Sequence, residues 1–561
     1  MKRRLVIPLA IFTLIIALVL IIAVRLEGAP DEGFPIMRIT SEYNPFTMPR
    51  EQWHDGTISL EGEGRSFRNV DVRLRGRGNS TWWFGEEKRP LRLRFNPPRE
   101  LLGSGTAHRD WVMLANHFDR SLLRNHTALH LGSLLSGLDN TPRSFFVHLY
   151  INEHYVGVYQ ITDERNLDVG RTSLVLDPDP AISEYMLELD GRMRESPEEK
   201  WITWVDVNGI PYEIRFPSDD ISTDAHVEYV YNYLTSISLA LRTGDFDALK
   251  GLIDIPSFVD FFLVQEFVKN PDVGWSSVFM TIRGQGDERR LYMGPLWDFD
   301  LAMGNSSYPA PNLWAAEMEQ GYSPYGLMAV IRNYWFANAM QIPEFAEIVA
   351  NRWHEISENE IYQTIRHIED IASRYATDFE RNFEAHQIMG TLHWQEPQEI
   401  IDILTFEGQA AHLVNWLERR AEWLNDHFSR VLNDPARFVP PRITVDGVVL
   451  ETDVHPLILS GTMLGPVGVI ANALDAEVTW DGENRIVTLY HPDGTRAIMT
   501  IGDTAVIITR PGRNEEVVNL ATAAMIISGR TFVPIRFFAG FFGVDVDWDE
   551  STRTAVITRP H

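Results

Sequence analysis

The sequence predicts an α+β chain: a strand-rich lobe, a helix-rich lobe, and a small C-terminal α+β module made of two related repeats. Three observations carry this reading. From about residue 36 to 217, apolar and polar residues alternate with period two. From about 222 to 436, apolar residues recur at three- and four-residue spacing. Beyond that, "SGTMLGPVGVIANALDAEVTWDGENRIVTLY" (460–490) aligns with "SGRTFVPIRFFAGFFGVDVDWDESTRTAVITR" (528–559) at a constant offset. Pro466 then meets Pro534, Trp480 meets Trp548, and Arg485 meets Arg553.

In chain order, the N-terminus comes first. Lys2, Arg3 and Arg4 precede an uncharged run from Leu5 to Val24. At ~1.5 Å per residue that run spans about 30 Å, the depth of a bilayer's hydrocarbon core. The basic end predicts a cytoplasmic N-terminus (1–4) and an extracytoplasmic bulk. The segment 5–24 reads as a retained transmembrane anchor in preference to a cleaved signal, which would leave the protein secreted. Gly28, Pro30, Gly33 and Pro35 mark a linker over 25–35.

The strand-rich part follows. "NVDVRLRG" and "PLRLRF" alternate strictly, and "FVHLYINEHYVGVYQI" reads as two strands around Asn152, Glu153 and His154. "WITWVDVNGIPYEIRF" is a hairpin whose Asn208-Gly209 supplies the positive φ of a tight turn. Asp119 is placed to cap one intervening helix, "RSLLRNHTALHLGSLL". The helical part contains "AHVEYVYNYLTSISLALR", "PSFVDFFLVQEFVKN", "ENEIYQTIRHIEDIASRYATDFERNFEAH" and "GQAAHLVNWLERRAEWLNDHFSRVL". "NDPARFVPPR" (433–442) breaks the chain before the last module.

Composition limits the function classes. The 561-residue chain carries a net charge of -28, against the excess of Lys and Arg that phosphate-backbone binding needs, so no nucleic-acid partner is expected. That charge suits solubility, or a basic protein partner. The absence of cysteine excludes disulfides, thiolate metal sites and thiol catalysis. Among 17 histidines no HExxH occurs, which argues against a metalloprotease.

The chemistry-bearing segments are few. In "VRLRGRGNSTWWFGEEKRPLRLRF", Gly76 and Gly78 flank Arg77, with Asn79 next and Lys88 nearby. Amides in such a turn can cradle anionic oxygens, or the segment is a β-bulge with solvated arginines. "DWVMLANHFDRSLLRNH" places Asn116, Asp119 and Arg124 around a helix start, as a cap and an ion pair. Glu164 ends an apolar strand, and Glu188 and Asp190 follow. Asp272 ends a helix in "FVKNPD", and "GPLWDFDLAMGN" sets Asp298 and Asp300 on either side of Phe299. Two such close carboxylates either cap local backbone or hold a cation, because bare they repel and resist desolvation. Three acids from two loops suit phosphoryl transfer, and oxygen ligands suit Mg²⁺ or Mn²⁺. Paired acids near some of the 16 tryptophans also fit a glycosidase, although tryptophans spread through strands and helices read first as core.

Together, "RGRGNSTWW", "EEKRPLRLRF", "LLRN", "YVGVYQITDERN", "VQEFVKNPD" and "GPLWDFDLAMGN" resemble the CotH family of spore coat protein H-like atypical kinases. They occur in that family's order over about 60–310, and the helices to about 430 fit its remaining half. The resemblance implies a two-lobed protein-kinase-like domain over 36–436 that transfers phosphate from ATP to Ser on a partner protein. It gives Lys88 the phosphate-binding role, with Arg77, Asn79 and Glu164 beside ATP. Asp272 becomes the catalytic acid, and Asp298 and Asp300 the metal ligands. GxGxxG, VAIK and HRD are missing. The expected cofactors are ATP with Mg²⁺ or Mn²⁺, and the expected partner is a basic, Ser-rich protein. Some members of the family are cell-surface binding proteins, so a non-catalytic adhesion or structural role is the alternative.

The last module, 441–558, resembles the copper amine oxidase N-terminal-like domain found on secreted bacterial proteins. Copper is not implied, since His455, His491 and His561 form no ligand cluster. It reads as a stalk or binding module.

Overall fold

The computed structural model describes residues 33–560 apart from 45–46, 63–65, 84, 86–87, 165–173, 195–202, 208, 219–221, 307–321, 393–395 and 434–440. In the C-terminal module it also omits 453, 460–461, 483, 528–529 and 550–551. The expected membrane segment, 5–24, lies outside the described residues. Among those described, no helix is long and apolar enough to cross a membrane.

Seven strands close into a barrel: β1 (Ile36–Ser41), β2 (His54–Glu61), β3 (Phe67–Gly76), β4 (Leu91–Arg99), β5 (His108–Leu114), β6 (Ser144–Ile151) and β7 (His154–Asp163). Their order is β1-β2-β3-β4-β5-β7-β6, and β1 returns parallel to β6 to complete the ring. Alternation sends Leu74, Leu93, Trp111, Tyr159 and their neighbours inward to one buried core. The β6–β7 turn sits where the sequence places it, with Asn152 and Glu153 both at positive φ.

A second sheet, in the order β12-β11-β8-β10-β9, combines β8 (Tyr185–Leu189), β9 (Trp204–Val207) and β10 (Ile210–Phe216) with β11 (Val278–Arg283) and β12 (Arg290–Met293). This moves the structural division. Strands before 217 were expected to stay together, but β8 pairs with β11, so the change falls between β7 and β8. Hydrophobicity alone could not show this, because both sheets carry the same alternation.

The helices α1 (Arg124–Leu134), α2 (Asp224–Thr243), α3 (Ile255–Val268), α4 (Glu360–Arg374), α5 (Ala376–Ala385) and α6 (Phe406–Asn433) pack around these sheets. Thr223 caps α2 in a capping box with His226, and Gly244 ends it in the left-handed region. Helix α3 is buried from Ser257 through Val268, which explains why it is apolar on every side. The single helix expected over "ENEIYQ…FEAH" is two, α4 and α5, divided at Tyr375, whose ring stacks on Phe34 at 4.5 Å. Phe34 itself is buried against Phe146 and Phe379, so the end of the expected linker is anchored.

In the C-terminal module each repeat runs strand, helix, strand, strand. The first is Thr462–Pro466, Val467–Ala473, Glu477–Asp481 and Ile486–Tyr490. The second is Arg530–Pro534, Arg536–Phe542, Asp545–Asp549 and Thr554–Thr558. The two leading strands pair antiparallel with Gly465 opposite Val533, its own aligned counterpart, so the register is that of a local twofold. The closing hairpins part company and enter different sheets.

Candidate functional site

The acidic loop is built from the end of α3 and the segment after β12. Lys269 ends α3 at φ 51, in the left-handed region. The Asn270 side chain then accepts from the Asp272 amide at 3.1 Å, an Asx turn that aims the Asp272 carboxylate out of the helix. On the other strand of chain, Phe299 is fully buried between exposed Asp298 and buried Asp300. Asp298 has φ 67 and accepts from the Ser277 hydroxyl at 3.0 Å. Gly304, at φ 75, closes the loop. A Cβ there would lie 2.8 Å from Trp416 Nε1 and 2.9 Å from Tyr322 O, so only glycine fits.

The acids feel one another. Burial, then Asp298, push the Asp272 carboxyl up to about 6, with Arg332 and Arg192 opposing. Burial pushes Asp300 well above the usual carboxylate range, and Asp298, Asp272 and Asp119 add to it. Four acids therefore share one field, with Asp298 acting on both of its neighbours. Among the described residues no three acids or histidines already stand in a metal-coordinating arrangement. Asp272, Asp298 and Asp300 are gathered but not closed around a common centre. Their chemistry fits a hard divalent cation: all the donors are oxygen, and a positive charge there relieves the repulsion that raises Asp272 and Asp300.

The segment 116–125 braces this loop. Asn125 Oδ1 accepts from the Phe299 amide at 2.7 Å. Arg124 donates to Ala302 O at 3.1 Å and to Met303 O at 3.5 Å, and its guanidinium pairs with Asp119. Asn305 donates to Phe118 O at 2.9 Å and to Asp300 O at 2.7 Å. The sequence reading took Asp119 as a cap on a helix beginning at 120. The helix begins at Arg124, and Asp119 instead accepts from Ser121 N, Ser121 Oγ and Arg124 N. Its density of Asn, Asp and Arg was the one available signal, and it equally describes a solvated helix start.

The expected nucleotide residues divide. Arg77, following β3, stacks its guanidinium 5.3 Å from the centre of Trp297, the residue before Asp298. This brings the glycine-bearing hairpin to the acidic loop. Two of the amides there already have backbone acceptors. Gly76 N donates to Pro49 O and Arg77 N to Pro90 O, while the Trp82 ring fills the space beside Gly76. Asn79 is exposed, bonds Arg50 at 3.1 Å, and its carbonyl accepts from Trp82 N and Trp83 N. Glu164 lies just past β7, where the barrel ends, ion-paired with Arg92 at 3.0 Å.

Lys88 is buried against Tyr159 of β7. It is 1 % exposed, its ammonium lies 5.1 Å from the centre of the Tyr159 ring, and it has no hydrogen-bond partner among the described residues. Burial lowers it to about 7, and the acid that opposes this is Asp119. Only the chain path shows this lysine, set between "EE" and "RP", to be buried.

Sequence reasoning also passed over Arg192. It forms a two-oxygen ion pair with Asp190, at 2.7 and 2.6 Å, and faces Asp298 and Asp272. Between barrel and second sheet, Val112, Met186, Phe279 and Trp297 form a separate small apolar cluster.

Comparison with known families agrees with both parts of the chain. The model of the copper amine oxidase N-terminal domain matches residues 444–557. No curated protein matches the chain. The model of the CotH kinase protein matches residues 73–424, which hold every brace and acid described above. With more than half of its length inside that match, the chain belongs to the CotH kinase family.

Proposed function

We propose that the chain is an atypical protein kinase that transfers phosphate from ATP to a Ser hydroxyl of a basic, Ser-rich partner protein, with Mg²⁺ or Mn²⁺. The observation that carries this is the gathering of Asp272, Asp298 and Asp300, from two loops, beside Arg77 on Trp297. A bound divalent cation supplies charge neutralisation of the phosphate oxygens. Asp298 and Asp300 would hold it. Asp272, with a carboxyl near 6, suits the group that orients the attacking hydroxyl and takes its proton. Arg77 adds a fixed cation for the phosphates. Glu164 borders the cleft at the barrel's end. Phe299 and Asn125 fix the loop and hold the carboxylates in place before substrate arrives.

The basic N-terminus and the uncharged run after it support an extracytoplasmic location on a single-pass anchor, or secretion if that segment is cleaved. One observation favours a second reading, a non-catalytic surface-binding scaffold. Lys88, the phosphate-binding lysine that the resemblance implies, is sealed against Tyr159.

The test is direct. The full chain, given Mn²⁺ and labelled ATP, should label itself or a Ser-rich basic protein, and Asp298→Ala should abolish the label. Undiminished labelling in that variant would overturn the metal role. No labelling, together with no nucleotide-induced thermal shift, favours the scaffold.

A further inference from the structure

Three histidines meet between α1 and α4, away from the acids. His126 Nε2 lies 2.9 Å from His367 Nε2. The His130 and His367 rings stack with centres 3.8 Å apart and planes 12° apart. This is not a chelating arrangement, since two rings lie face to face. It is an arrangement that tolerates little positive charge.

From this cluster a chain of hydrogen bonds runs to the acidic loop. The Phe299 amide donates to Asn125 Oδ1 at 2.7 Å, and Asn125 Nδ2 donates to Asn116 Oδ1 at 3.0 Å. Asn116 Nδ2 donates to Gln160 Oε1 at 2.7 Å, and Gln160 Nε2 donates to Ser144 Oγ at 2.7 Å. Ser144 Oγ meets His126 Nδ1 at 2.8 Å.

The amides fix the direction of this chain as far as Ser144 Oγ, which accepts from Gln160. In the closed latch the one Ser144 proton goes to His126 Nδ1. His126 is then the Nε2–H tautomer and donates to His367 Nε2. A proton on His367 Nε2 would face that N–H head-on. His126 could answer only by moving its proton to Nδ1, which removes the acceptor of the Ser144 hydroxyl.

We propose that this histidine cluster is a proton-sensitive latch, and that His126, Ser144, Gln160, Asn116 and Asn125 are positioning residues that transmit its state to the Asp298–Asp300 loop. The groups facing the rings are few. Ser144 on β6 and Gln160 on β7 are uncharged, and Asp370 on α4 opposes the loss of charge on His367. Asp260 on α3 is held by Arg352 at 2.8 Å and by the Gly137 amide. His412 on α6 faces Arg124 rather than the cluster. Burial lowers all three imidazoles, and the neighbouring rings add to it for His126 and for His130, which falls to about 4. In the closed latch all three are neutral, and release frees His367 to take up a proton.

The size of the effect follows from linkage. One histidine that is neutral when latched, and titrates near 6.5 when released, makes release about tenfold easier at about pH 5.5 than at about pH 7.5. Hydrogen exchange at Phe299, measured on the full chain and corrected for the intrinsic pH dependence, reads this when wild type is compared with His367→Gln, because Asp272 and its neighbours titrate in the same window in both. Between those two conditions wild type should lose about tenfold more protection than His367→Gln, which keeps an acceptor that does not protonate. Ser144→Ala, which cuts the relay, should raise exchange at both pH values. An unchanged pH dependence in His367→Gln, no pH dependence in wild type, or unaltered exchange in Ser144→Ala would each overturn the latch. The inference draws its significance from the kinase reading, but the measurement contains no metal or nucleotide. It therefore stands or fails independently of phosphate transfer.

Discussion

Asp272→Asn should stabilise the metal-free protein at neutral pH. The Asp272 carboxyl titrates near 6, against an ordinary value of 3.8, because burial and Asp298 disfavour its charge. The folded state therefore holds the proton more tightly than the unfolded one. Stability linked to this group is fully present below about pH 4 and is lost as pH rises toward 6. Above that, the ionised group costs about 3 kcal/mol, from 1.36 kcal/mol per pH unit between the two values. Asparagine occupies the same volume without the charge, so it should recover most of that amount. With an unfolding entropy of about 2.1 cal/mol/K per residue, a domain of about 350–400 residues gains roughly 4 °C in melting temperature. The assay is thermal unfolding of the full chain, wild type and variant, at about pH 7.5 and about pH 4, with and without Mn²⁺. The gain should appear at the higher pH, vanish at the lower, and shrink with Mn²⁺, whose charge offsets the repulsion on Asp272 in wild type. A variant that is neutral or destabilised at the higher pH, or that gains equally at both, would refute the electrostatic account of the site.

Asp300→Asn should act in the same direction, since its carboxyl is raised by burial and by three acids, yet Mn²⁺ affinity measured by calorimetry should fall at least about tenfold. Arg77→Ala removes the guanidinium on Trp297 and should weaken ATP binding by about 1–2 kcal/mol in fluorescence titration, while leaving Mn²⁺ binding without nucleotide nearly unchanged. Glu266→Gln breaks a fully buried pair with Arg420 and weakens the cap on the Met328 and Ala329 amides; denaturant unfolding should show a loss of about 3–5 kcal/mol.

Much of the fold is legible in the sequence for local reasons. Period-two alternation locates β3, β4, β6 and β7, and Asn152-Glu153 marks their tightest turn. Three-four spacing locates α2, α3 and α6 nearly to the residue. The pair Asp298 and Asp300 stands out because two carboxylates in an apolar run need a physical reason. The fate of Lys88 was not legible, because nothing in its neighbours separates a solvated lysine from one folded under Tyr159. The glycine hairpin reads as an anion cradle until the acceptors Pro49 and Pro90 are brought beside it. Neighbouring residues reveal a hydrogen-bond donor, but not what already occupies it.

The sequence by itself determined most of the elements and the acidic loop, since each rests on residues within one or two turns of chain, and the two family resemblances, which rest on short motifs in a fixed order. Only tertiary structure decided which sheet β8 joins, that Asn125 holds the Phe299 amide, and that His126 meets His367 across 241 residues. The physical reason is range: period and capping act over a few residues, whereas burial, charge coupling and hydrogen-bond polarity depend on segments the chain brings together only when it closes.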